Sequence, residues 1–302
     1  MANMLKDKVV LVTGAGGGIG REMALLAAKE GASVVVNDLG GARTGEGSDA
    51  TPAQEVVDEI KAAGGQAIAN GDDCSSWSGA EGMVNQAIET FGGLDILVNN
   101  AGILRDKMSF NMTEEEWDAV VKVHLKGHFA PARFAGAYWR QKSKDSGQPV
   151  NAKIVNTASE SGLYGNAGQA NYASAKAGIA ALTIVLAREL ERFGVRVNCI
   201  APVAMTRLTE DMMGGDDSRA EKIAPTNVAA GVAWLASDLS DGVNGQVLKI
   251  QGGMAQIVQG WRPVSQVESD KPWTIESIAE QRDALFAKSD GTIPPFFFPS
   301  PG

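Results

Sequence analysis

The chain has little cysteine: Cys74 and Cys199 are the only two among 302 residues. They form no CxxC pair, which excludes a disulfide framework as the organising principle. With only two histidines as well, no zinc or other metal site is expected. Positive charge is also scarce. Lys and Arg number 27 against 36 Asp and Glu, a net charge of -9. A phosphate-backbone footprint needs a basic surface, so nucleic acid is excluded as the main partner. Long hydrophobic runs are missing too. No stretch reaches the ~18 uncharged residues of a membrane span. The opening "MANMLKDKVVLV" lacks the apolar core of a signal peptide. A cytoplasmic protein that meets neither membrane nor nucleic acid is the expectation.

What is present is apolar residue, 44% of the chain, laid out in short blocks. "KVVLVT" at 8–13, "SVVVN" at 33–37, "QAIAN" at 66–70 and "LDILVNN" at 94–100 read as strands. So do "KIVNTAS" at 153–159, "VRVNCIA" at 195–201 and "GQVLKI" at 245–250. None alternates cleanly, as expected for strands covered on both faces of a parallel sheet. Helical patterns fall between them at 19–30, 53–63, 76–91, 113–142, 171–192 and 227–237. Alternating strand and helix predicts an α/β fold with a doubly wound parallel sheet. No linker interrupts residues 1–260, read as one domain, and 261–302 read as a C-terminal extension.

The first strand runs into "TGAGGGIG" at 13–20. Backbone N–H groups approach a phosphate closely only where no Cβ intervenes, and the following helix adds its positive end. The spacing is GxxxGxG, with Gly14, Gly18 and Gly20; Ile19 stands where a GxGxxG pattern has its last glycine. Asp38 closes the second strand. A carboxylate there accepts hydrogen bonds from ribose hydroxyls and repels a 2′-phosphate, which favours NAD over NADP. Arg43, five residues on, is the residue that could receive a 2′-phosphate instead. Asp72 follows the third strand, either facing adenine or serving a turn.

In "ANYASAKAG" at 170–178, Tyr172 and Lys176 stand one helical turn apart on one face. A free phenol titrates near 10 and is a poor base at neutral pH. A neighbouring ammonium is expected to lower that value, and Lys176 can also hold the nicotinamide ribose. "NNAG" at 99–102 ends the fourth strand, and Ser159 ends the fifth, thirteen residues before Tyr172.

In that order, "TGAGGGIG", "NNAG", Ser159 and Tyr172-x-x-x-Lys176 resemble the short-chain dehydrogenase/reductase family over about residues 5–255. The resemblance implies a Rossmann-type fold with a seven-stranded parallel sheet. It implies hydride transfer between NAD and a carbinol carbon, with Tyr172 exchanging the hydroxyl proton and Ser159 orienting the substrate oxygen. It places Asn99, Ala101 and Gly102 beside the cofactor, and Thr206 of "IAPVAMT" on the carboxamide. In "VHLKG" at 123–127, His124 replaces the family's asparagine, whose main-chain carbonyl holds a water beside the lysine; the imidazole is a second candidate for the proton relay. Within the family, "VVVNDLGG", "NNAGILRD", "VHLKG" and "GLYGNAGQANY" resemble the (3R)-hydroxyacyl-CoA dehydrogenase domain of peroxisomal multifunctional enzyme type 2. They are equally similar to bacterial 17β-hydroxysteroid and hydroxyacyl-CoA dehydrogenases. That implies oxidation of a 3-hydroxyacyl-CoA, with a hydroxysteroid dehydrogenase or an NADPH-dependent 3-oxoacyl thioester reductase as the alternatives. Segment 207–226 is the variable substrate segment, and Met205, Met212 and Met213 are candidates to line an apolar pocket.

Residues 173–187 and the stretch "FAPARFAGAYW" at 129–139 are small or apolar on nearly every helical face. A helix apolar all round must be covered all round, so a homo-oligomer is expected, and the family resemblance implies a homodimer or homotetramer. In the extension, 274–288 reads as one amphipathic helix. Phe296, Phe297 and Phe298 are expected to drive the tail onto the core or a neighbouring subunit.

Overall fold

The computed structural model describes residues 3–204 and 223–288. Met205, Thr206, Met212, Met213 and the Phe296–Phe298 run lie outside the described residues. The chain enters on β1 (Val9–Thr13), α1 (Gly18–Lys29), β2 (Ser33–Asn37), α2 (Thr51–Ala62), β3 (Gln66–Asn70) and α3 (Trp77–Phe91). It continues through β4 (Ile96–Asn99), α4 (Glu114–Val121), a π-helical turn (Lys122–Lys126) and α5 (Gly127–Ser146). Then follow β5 (Ala152–Thr157), α6 (Glu160–Tyr164), α7 (Ala170–Leu190), β6 (Val195–Val203), α8 (Pro225–Ala236), β7 (Val247–Gln251) and β8 (Met254–Val258).

The strand order is β3-β2-β1-β4-β5-β6-β7-β8. The first seven are parallel, as expected; β8 pairs antiparallel with β7 and was not anticipated. Its residues are mostly exposed on the sheet edge, so they lack the apolar block that marks a central strand. Successive residues of each central strand serve opposite layers. Val10, Val12, Val34, Val36 and Val98 join the core formed with α1, α2 and α8. Val9, Leu11, Val35, Leu97 and Ile154 join the core formed with α3, α5 and α7. That division is why these strands read as continuous apolar runs.

The pattern at 113–142 resolves into two helices joined by the π-helical turn that carries His124. Thr113 opens α4 with a capping box closed by Glu116. Residues 170–193 are long and apolar enough, by length and composition, to cross a membrane. Here they pack against β5 and β6, and Lys176 on the same helix is buried. The expected single helix at 274–288 is two short ones, Ile275–Glu280 and Arg282–Leu285. Trp261 is 97% exposed and Ile275 84%, so the described part of the extension does not bury itself against its own chain.

Strand order reverses between β1 and β4. The loops after β1, β2, β3, β4 and β5 therefore gather at one edge of the sheet, around the crevice where such folds hold ligands.

Candidate active site

Helix α1 starts at Gly18 behind an extended Gly17, with no side-chain cap and no acid in its first turn. Its leading N–H groups are left for a bound anion. A Cβ on Gly17 would meet nothing within 4 Å, whereas a Cβ on Gly20 would sit 2.1 Å from the Gly14 carbonyl oxygen. Gly14 has φ +64°, and its Cβ would lie 2.7 Å from the Ala101 Cα. The glycines thus divide their work: one faces open space and two allow backbone to meet backbone. The Thr13 hydroxyl accepts from the N–H groups of Asn100 (3.0 Å) and Ala101 (3.2 Å), joining this turn to the end of β4.

The turn walls a cavity of about 300 Å³ lined also by Ile19, Asp38, Asp72, Ala101 and Gly102. Asp38 accepts from the Gly16 N–H through Oδ2 and from the Gly40 N–H through Oδ1, both at 2.7 Å. Asp72 accepts from the Asn70 side chain at 2.8 Å. A crevice lined by a helix N-terminus and by carboxylates just after β2 and β3 fits a nicotinamide dinucleotide. The loop after β2 forms a strap that the sequence did not announce. Leu104 donates to the Arg43 carbonyl (3.1 Å) and the Arg105 Nε to the Thr44 carbonyl (2.8 Å).

Asn99, expected to border the cofactor, does not line this cavity. It is fully buried, donating to the His128 carbonyl (3.1 Å) and to Asn156 Oδ1 (3.0 Å). Residue alternation along β4 turns Asn99 into the core, and Asn100 lines the cavity instead.

Tyr172, Lys176, His124 and Ser159 come together from three elements. The Lys176 Nζ lies 5.5 Å from the Tyr172 ring centroid and donates to the Thr157 carbonyl at 2.6 Å. The His124 ring meets Tyr172 edge-on, with centroids 5.0 Å apart and planes at 90°. Ser159 caps α6, its Oγ accepting from the Ser161 N–H at 3.2 Å. Asn171 steadies the start of α7: its Nδ2 donates to the carbonyls of Arg105 and Glu116, both 3.0 Å, and its Oδ1 accepts from the Tyr172 N–H.

Burial moves the titrations of this cluster apart. Desolvation pushes the Tyr172 phenol up to about 12; the Ser159 hydroxyl offsets part of the rise and the Asp106 charge adds to it. Lys176 is pushed down to about 7, chiefly by desolvation. The phenol therefore stands above its ordinary value rather than below it as expected, because the same apolar surroundings disfavour both charged forms. His124 is pushed down to about 3 by burial and then by the Lys176 charge, against a backbone hydrogen bond with Ile103. Its Nε2 lies 2.8 Å from the Ile103 carbonyl and 3.1 Å from the Ile103 N–H, while Nδ1 has no partner. The imidazole fits only because residue 102 is glycine: a Cβ there would lie 2.3 Å from His124 Cε1.

Sequence reading missed a buried ion pair beside Ser159. Glu160 on α6 meets Lys249 on β7, with side chains 4% and 8% exposed. A charge inside a strand that is otherwise apolar was the available signal.

The family model for short chain dehydrogenases matches residues 8–215. The chain is 48% identical over 263 residues to the hydroxyacyl-CoA dehydrogenase ChsB1 of Mycobacterium tuberculosis, covering 84% of this chain and 80% of that protein. It is 38% identical to the mouse peroxisomal multifunctional enzyme type 2, over 97% of this chain but only 39% of that enzyme. A crystal structure of a short chain dehydrogenase from Mycobacterium avium superposes with a TM-score of 0.86 at 46% identity, covering 98% of this chain and all of that one.

Proposed function

The chain belongs to the short-chain dehydrogenase family and is an oxidoreductase acting on a CH–OH group; from that premise we propose that it oxidises a 3-hydroxyacyl-CoA to the 3-oxoacyl-CoA with NAD. The observation that carries the reading is the juxtaposition of Tyr172, His124 and Gly102, which joins the tyrosine, through the His124 ring, to the wall of the crevice. The likeness to a hydroxyacyl-CoA dehydrogenase supports the substrate class. Asp38, at the end of β2 on the crevice wall, supports NAD.

NAD would be held by the glycine turn and Asp38, and would supply the hydride acceptor. Ser159 would hold the substrate oxygen by hydrogen bond, and Tyr172 would exchange the hydroxyl proton. With the phenol at about 12, Tyr172 carries its proton at neutral pH, so in oxidation that proton must first be passed on. Lys176, at about 7, is the neighbour whose titration suits it to take up and release a proton at working pH. Arg43, on the crevice wall near Asp38, supports a second reading in which NADP is the partner.

A substrate panel tests both points. Turnover is expected with 3-hydroxyacyl-CoA thioesters and NAD. Activity confined to free hydroxysteroids would refute the substrate class, and a preference for NADP would refute the reading of Asp38.

A further inference from the structure

Ser159 and Tyr172 arrive on different elements, yet proton transfer needs them fixed to a fraction of an ångström. One buried amide lies between them. We propose that Gln169 is a positioning residue that locks the Ser159 turn to the Tyr172 helix, with Asp106 as its anchor. The inference rests on the catalytic roles proposed above for Ser159 and Tyr172.

Gln169 is 4% exposed and stands at the start of α7. Its Oε1 accepts from the Ser161 hydroxyl at 2.7 Å and from Asn166 Nδ2 at 3.0 Å. Its Nε2 donates to Asp106 Oδ2 at 2.8 Å. Ser161 in turn donates its N–H to the Ser159 Oγ at 3.2 Å. On the main chain, the Gln169 carbonyl accepts from the Ala173 N–H at 2.7 Å, one residue beyond Tyr172. Lys107 donates to the Gly168 carbonyl at 2.7 Å, so the loop after β4 is pinned at the same place.

The chemistry requires an amide. Two donors converge on its oxygen and a carboxylate faces its nitrogen, an arrangement neither a carboxylate nor a hydrocarbon reproduces. Burial pushes the Asp106 carboxyl up from its ordinary value, and the Gln169 hydrogen bond and the Arg43 charge oppose the rise. The Gln169 amide N–H can only donate, so Asp106 Oδ2 is the acceptor at this joint. Gln169 does not line the dinucleotide crevice, so its loss should leave cofactor binding alone.

The test is Gln169→Glu, which keeps the shape and the acceptor side but sets a carboxylate against Asp106. We expect kcat to fall at least about tenfold with dinucleotide affinity unchanged, and amide hydrogen exchange to quicken across residues 157–173. In D106N/Q169E the new amide at 106 can donate to the new carboxylate at 169, and both kcat and exchange protection should return. Asp106→Asn alone retains an acceptor for the Gln169 amide, so exchange protection across residues 157–173 should match wild type. If Q169E fails to fold, Ser161→Ala removes the other side of the joint without changing charge and should show the same loss of kcat and protection. Wild-type kcat and exchange in Q169E (or in Ser161→Ala, where Q169E fails to fold), or a loss that D106N/Q169E does not reverse, would overturn the proposal. If the wild-type protein turns over no alcohol, the reaction assignment fails, while hydrogen exchange still decides whether the joint exists.

Discussion

Tyr172 and Lys176 respond to one environment in opposite directions, the phenol rising and the ammonium falling. Tyr172→Phe keeps the ring packed against His124 and removes only the transferable proton. Turnover should drop ~10²–10⁴-fold, the usual worth of a general acid–base group, with dinucleotide binding by fluorescence titration intact. A near-wild-type rate would refute the role. His124 differs: it is buried and stays neutral, and its Nε2 is committed to Ile103. His124→Asn should therefore retain substantial activity. Its effect on stability has a definite sign. Folded His124 titrates at about 3 and the unfolded residue at 6.5, so as pH falls below 6.5 the unfolded chain binds a proton that the folded chain refuses. Stability is lost in that window. His128 is shifted the same way. Urea unfolding at pH 7 and pH 5 should show a smaller loss in His124→Asn than in wild type, and equal losses would contradict the assignment.

At the level of elements, the site depends on features that break regular structure. The π-helical turn between α4 and α5 delivers His124 to a space that Gly102 leaves open; such turns recur at functional sites. Helix α6 is only five residues long, and its hold on the sheet includes the Glu160–Lys249 pair. Removing one partner of a buried pair leaves an uncompensated charge, at a cost of about 3–5 kcal/mol. Glu160→Ala should thus lower unfolding free energy by about that amount in denaturant titrations. A change below 1 kcal/mol would mean that water reaches Lys249.

Across the whole molecule, apolar surface is left uncovered on one chain. Ile184 and Val185 of α7 and Phe129 of α5 are 37%, 50% and 39% exposed, on the two helices whose sequences are apolar on nearly every face. A homo-oligomer is the expected state, and a monomeric mass at micromolar concentration by light scattering would refute it. The extension adds Trp261, Ile275 and Phe286, all exposed. We propose that the extension docks on a neighbouring subunit, which would cover these side chains. Deletion of 261–302 should then reduce oligomeric mass and thermal stability; identical values for the truncated and full-length proteins would show the extension to be passive.

The seven parallel strands, the glycine turn and the Tyr172–Lys176 spacing are legible in the amino-acid sequence alone. Each is a local signal: β-branched blocks covered on both faces, glycines where a Cβ would meet backbone, and two side chains one turn apart on one helix. The sequence also marked Asp38, because a carboxylate ending the second strand has a fixed place in a doubly wound sheet. Tertiary structure decided the rest. Asn99 turned inward and Asn100 outward according to which face of β4 each occupies. Desolvation by distant residues set the direction of the Tyr172 and Lys176 titrations, against what their pairwise charge alone predicts. The partners of Gln169, Glu160 and His124 lie 63, 89 and 21 positions away at Asp106, Lys249 and Ile103, and no period or motif connects residues that only the packed sheet brings together.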